Sequence, residues 1–81
     1  MKLTDISIGK SGKVTRLNCQ GKKRRRLLDL GLIPGTTIRA KQKSPSGDPI
    51  AFEIRGATIA LRSEETNMVI VEEIEKNKKV S

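Results

Sequence analysis

Apolar residues recur along this chain in short bursts separated by glycine and polar residues. Leu3, Ile6 and Ile8 precede Gly9 and Gly12 and read as an apolar lead-in that covers one end of a core. Val14 and Leu17, within Lys13 to Asn18, give a first, modest strand signal. Gly21 then opens a helical stretch: Lys22 to Leu30 has no Gly or Pro and consists mostly of good helix formers. On a helical wheel Leu27 and Leu30 lie about 60° apart, with Leu28 about 100° to the other side of Leu27. These three leucines define the expected buried stripe. Lys22, Arg25 and Asp29 point away from it, while Lys23 and Arg24 flank Leu27 and lay their alkyl stems on the core edge.

The helix carries its own stop. With Gly31 at C′ in the left-handed conformation, Leu32 becomes C″ and Leu27 becomes C3, the apolar pair of a Schellman cap. Pro34 forbids continuation, and Pro34-Gly35 suits the centre of a type II turn. The second half reads as sheet. Ile38 and Ala40 face one way within Thr36 to Lys43, and Ser44 to Pro49 is a loop rich in turn residues. Ile50, Phe52 and Ile54 alternate with Ala51, Glu53 and Arg55, a half-buried strand. Gly56-Ala57 marks a turn, and Ile59 and Leu61 belong to the next strand. Ser63 to Thr66 predicts one helical turn with Ser63 as N-cap. Met68 to Val71 is a continuous apolar run, a strand pinned between its neighbours.

Five short strands and one helix in 81 residues predict a mainly β fold: a small, partly open barrel that limits its exposed edges. The helix falls after the first strand. That favours an SH3-like barrel with one short inserted α-helix over an OB-fold, whose helix comes later in the chain. Residues 1–74 are expected to form one domain, with 75–81 as a polar C-terminal tail. For a chain this size the area scaling predicts burial of about 63% of the unfolded surface. One core is possible; a deep enclosed active site is not.

Composition narrows the chemistry. The chain has no His, no Trp and no Tyr, one Cys and one Phe. Nucleophile pairs that need His are therefore excluded, as are an internal disulfide and a CxxC metal or redox motif. The expectation is a protein that is not an enzyme, with no catalytic residue and no cofactor. Glu64-Glu65 and Glu72-Glu73 are pairs of hard oxygen ligands, but adjacent surface acids read as solvated, and no metal site is assigned. Cys19 reads as a small semi-buried apolar residue. No apolar run approaches a membrane span and no signal-peptide core is present, so the expected location is the cytoplasm.

Charge changes the picture most. The formal net charge is +8, and all of the excess lies between Lys10 and Arg26. That stretch holds eight cations (Lys10, Lys13, Arg16, Lys22, Lys23, Arg24, Arg25 and Arg26) and no acid. The rest of the chain is balanced. Five of these cations sit at a helix N-terminus, where the dipole is already positive, and each mismatch costs up to roughly 0.3–1 kcal/mol at low salt. An acidic partner surface or an anionic membrane face would offset that cost.

The run Arg26-Leu27-Leu28-Asp29-Leu30-Gly31-Leu32-Ile33-Pro34-Gly35-Thr36 resembles the signature of the ferrous iron transport protein A family, FeoA. The resemblance continues through Ser44 to Pro49 and Gly56 to Arg62 and covers about residues 1 to 74. It implies an SH3-like barrel and a cytoplasmic accessory role in bacterial ferrous iron uptake. The implied partner is the cytoplasmic GTPase-bearing region of the transporter FeoB. Lys22, Lys23, Arg24, Arg25 and Arg26 are the candidate partner-binding residues, with an anionic membrane surface as a second possible contact. The alternative is a basic SH3-like barrel that binds nucleic acid. Single-strand readers stack bases on exposed aromatics, and Phe52 alternates into the core, which argues against specific nucleic acid. The sequence leaves the oligomeric state open.

Overall fold

In this computed structural model residues 1–74 are described, and the expected tail at 75–81 lies outside the described residues. Five strands form one antiparallel sheet: β1 (Ser11–Leu17), β2 (Thr37–Lys43), β3 (Ile50–Ile54), β4 (Ala57–Leu61) and β5 (Val69–Ile74). Their order is β4-β3-β2-β1-β5. Helix α1 (Gly21–Asp29) is inserted between β1 and β2, and a single turn, α2 (Ser63–Thr66), joins β4 to β5. The fold is mainly β, as the alternation predicts.

Period-two alternation drives the sheet onto one core. Ile38 and Ala40 from β2, Ile50, Phe52 and Ile54 from β3, and Val69 and Val71 from β5 are buried together with Val14, Leu17 and Leu61. Two bulges bend the ladder. Thr15 is the extra residue between Val14 and Arg16 opposite β5, and Lys41 is the extra residue between Ala40 and Gln42 opposite β3. Each bulge increases twist and lets so short a sheet curl around its core. The Thr15 hydroxyl donates to the Ile70 carbonyl at 3.1 Å, fixing the first one in place.

The predicted helix stop is present in full. Gly31 sits at φ 99°, its N–H reaches the Leu28 carbonyl at 3.0 Å, and the Leu32 N–H reaches that of Leu27 at 3.0 Å. Those are the two bonds of a Schellman cap. Leu27 and Leu32 are both buried beneath it. The Thr36 N–H then donates to the Ile33 carbonyl at 2.9 Å across Pro34-Gly35, with Gly35 at φ 97°, as a type II turn requires.

The helix itself runs from Gly21 to Asp29 with Leu30 as its C-cap, as the placement of Gly31 at C′ requires. Several local expectations need correction. Only Leu27 of the expected stripe is fully buried; Leu28 and Leu30 are half-buried at the core margin, because so short a helix, capped at Leu30, turns only the narrow face centred on Leu27 inward. β1 begins at Ser11, two residues before the expected start. Leu3 and Ile6 join the core, but Ile8 is exposed, since the chain turns outward at Gly9 before entering β1. The β3–β4 turn is Arg55-Gly56, not Gly56-Ala57. Ile54 pairs with Ala57, and the two loop residues have φ 54° and 84°, the positive pair of a type I′ hairpin. Ser63 is the first helical residue rather than the cap.

A Cβ at Gly31 would lie 3.2 Å from Ile54 Cγ2, whereas one at Gly35 would meet nothing within 4 Å. Both substitutions incur the left-handed penalty of about 1–2 kcal/mol, but only the first also crowds a buried side chain, Ile54, which must give way. Urea denaturation should therefore show Gly31→Ala as the more destabilising of the two, with m-values unchanged.

The basic helix and its acidic clasp as the candidate functional site

The helix exposes all five candidate cations, Lys22 to Arg26. Its N-cap is Gln20, which makes no side-chain capping bond, and there is no acid in its first turn. Helical spacing divides the cations. Lys23, Arg26 and Leu27 share one face at i, i+3 and i+4. They line a cavity of about 300 Å³ closed on the far side by Glu64, Glu65 and Met68. Lys22, Arg25 and Asp29 share the outer face, a broad surface depression that also includes Gly21 and is bordered by Arg26, which touches both. Lys23 thus sits beside Leu27 as expected; the other cation there is Arg26, with Arg24 outside both groups.

Arg26 is not a free cation. Its Nε donates to Glu65 Oε2 at 2.6 Å. The Glu65 side chain is 15% exposed and that of Arg26 62%. Glu65 Oε1 accepts the backbone N–H of Arg62 at 3.2 Å, and Asp48 Oδ1 accepts the Ser63 N–H at 2.8 Å. Two carboxylates therefore satisfy the orphan donors at the start of α2, the work a Ser63 cap was expected to do. Glu65 also ties α2 to α1. Burial alone would push the Glu65 carboxyl up. The Arg26 hydrogen bond, the Arg62 N–H and the positive charges of both arginines outweigh it and hold the group below its ordinary value of 4.5.

The acids considered as metal ligands thus divide. Glu65 is committed to Arg26 and the α2 backbone, and among the described residues no three His, Cys, Asp or Glu side chains converge to hold an ion. Cys19 is half-buried against the core margin. Phe52 is fully buried, which removes the one aromatic side chain from the surface. Sequence reasoning found the cations but missed the clasp. Glu65 lies thirty-nine residues from Arg26, and nothing local signals their meeting. No helix among the described residues is long and apolar enough to cross a membrane.

An SH3-like barrel with an inserted, cation-bearing helix is the class of protein that these features define. The FeoA domain family matches residues 1–73, and the chain belongs to that family. A Porphyromonas gingivalis protein, a fusion of Fe(2+) transport protein A with the Fe(2+) transporter FeoB, is 31% identical over 77 residues. The match covers 95% of this chain and 9% of the fusion. The solution structure of iron(II) transport protein A from Clostridium thermocellum superposes with a TM-score of 0.88 at 34% identity, covering 91% of this chain and 46% of that one. The crystal structure of Stenotrophomonas maltophilia FeoA complexed with zinc, described as a prokaryotic SH3 domain protein, gives 0.79 at 28% identity, covering 89% of each. The family is associated with ferrous iron transport and is not an enzyme family.

The depressed Glu65 carboxyl sets a pH signature. A group whose folded pKa lies below its unfolded value stabilises above the unfolded value and loses that contribution as pH falls through the folded one. Glu65→Gln should cost about 1 kcal/mol at pH 7 through the lost ion pair, since an amide oxygen there can still accept the Arg62 N–H. Thermal unfolding of the two proteins should converge as the pH drops below 4.5.

Proposed function

We propose that this chain is a cytoplasmic accessory module that binds the GTPase-bearing cytoplasmic region of FeoB through the basic face of α1. Family membership and the fused FeoA–FeoB homologue support the partner. The observation that carries the surface is the concentration of the whole charge excess in one stretch that ends on an exposed, uncapped helix. Lys22, Lys23, Arg24 and Arg25 present the charge, and Arg26, clasped by Glu65, fixes how the helix is presented. Residues 1–74 act as one unit in this reading. The protein performs no reaction of its own; it acts by contact. An anionic membrane surface beside the transporter would be attracted by the same face.

The double variant Lys22→Glu/Arg25→Glu leaves Leu27, Gly31 and the clasp intact. It should bind the FeoB cytoplasmic portion at least about tenfold more weakly near physiological salt, and the gap should narrow as added salt screens the surface. Equal binding by variant and wild type would overturn the assignment of this face. A duplex DNA and a single-stranded RNA, titrated in parallel, should lose affinity steeply with salt. Nucleic-acid binding that outlasts transporter binding would put the nucleic-acid reading first.

A further inference from the structure

The two edges of the sheet are treated differently. On the outer side of β5, Lys2 forms a bridge with Ile70, and the Val71 N–H donates to the Met1 carbonyl at 2.8 Å. Glu72 and Glu73 add exposed charge to the same strand. Both are ordinary protections for a sheet edge. β4 has neither. Its residues, Ala57-Thr58-Ile59-Ala60-Leu61, carry no charge, and no described element pairs with its outer side.

The register says which backbone groups are free. Ile54 and Ala57 flank the two-residue turn and form a hydrogen-bonded pair. Antiparallel alternation then directs Ala57, Ile59 and Leu61 toward β3 and leaves the N–H and C=O of Thr58 and Ala60 pointing outward. Thr58 and Ala60 are exposed, and Ile59 between them is half-buried at the rim of the core. Exposed arginines bracket the strand, Arg55 at the hairpin tip and Arg62 at the other end. Arg62 faces Asp48 only at 3.9 Å, with its side chain 64% exposed. Arg55 holds φ 54°, a position where Asn or Gly is less strained. A cation thus occupies a turn position that local backbone preference gives to Asn or Gly, with its Cδ 3.8 Å from where a Cβ on Gly31 would stand.

We propose that β4 is a docking edge that takes an extended acidic segment of another protein as a sixth strand: an uncharged, β-prone core with carboxylates that meet Arg55 and Arg62. Main-chain bonds to Thr58 and Ala60 supply the pairing, and the segment's inward side chains cover Ile59. Charge disfavours a second copy of this chain. The two-fold register that satisfies all four free groups pairs Thr58 with Ala60 of the other copy. It sets Arg62 beside the other copy's Arg55 at both ends, between molecules already carrying +8. This site is separate from the basic face of α1 and does not depend on it.

The test uses the full chain and a labelled peptide, Asp-Val-Thr-Val-Thr-Asp, with two controls: the same peptide N-methylated at alternate amides, and a Lys-flanked version. The acidic peptide should slow hydrogen exchange at the Thr58 and Ala60 amides, and both controls should bind at least about tenfold more weakly. Ala60→Pro, which a free edge tolerates, should weaken binding by a similar factor. Arg55→Asn should raise the melting temperature by about 4 °C while lowering affinity for the acidic peptide, opposite signs that a purely structural role would not give. Unchanged exchange at those two amides with millimolar peptide would overturn the proposal. So would equal binding of the N-methylated peptide, or a concentration-dependent dimer abolished by Ala60→Pro, which would make the occupant a second copy.

Discussion

Everything that distinguishes this barrel from a plain five-stranded sheet depends on how α1 is held. A nine-residue helix is shorter than the roughly 12–15 residues at which isolated helices become even marginal in water. This one also carries Lys22, Lys23 and Arg24 in its first turn, where its dipole is already positive; of the five cations expected at that end, Arg26 instead falls in the last turn. It persists because its C-terminal end is locked. Leu27 and Leu32 are buried side by side, and Gly31 turns the chain through a left-handed conformation that satisfies the last carbonyls. The anchorage is at one end and the charge at the other. The helix is thereby both fixed to the core and free to expose its basic residues.

The clasp between Arg26 and Glu65 adds a second point of attachment. Because the Glu65 carboxylate also accepts the Arg62 N–H, a single acid caps α2 and neutralises one cation of α1. Five consecutive basic residues are therefore not five equivalent charges. One is structural, one lines the cleft beside Leu27, and the others face solvent. The same economy appears at Asp48, which closes the β2–β3 loop onto the start of α2 through the Ser63 N–H.

Much of the fold was legible in the sequence because it rests on local rules. The Schellman stop needs only Leu27, Gly31 and Leu32 at fixed spacing, and the turn at Pro34-Gly35 needs only two residue types. The strand Ile50–Ile54 shows its buried face by alternation alone. Errors fell where a local signal was ambiguous. Gly56-Ala57 looked like the turn, but pairing register moved it to Arg55-Gly56, where an arginine takes a conformation that propensity would give to Asn or Gly. Ser63 looked like a cap until Asp48, fifteen residues earlier, took that role.

The sequence by itself determined the fold class, the family and the position of the charge. Those follow from hydrophobic period, turn chemistry and composition, none of which requires knowing what lies across the barrel. The tertiary structure alone decided that Arg26 meets Glu65, that Leu28 and Leu30 stop at the core margin, and that, among the described residues, β5 is covered while β4 is open. Each is a contact or a vacancy between segments distant in the chain. Only the closing of the sheet around its core brings such segments to one place.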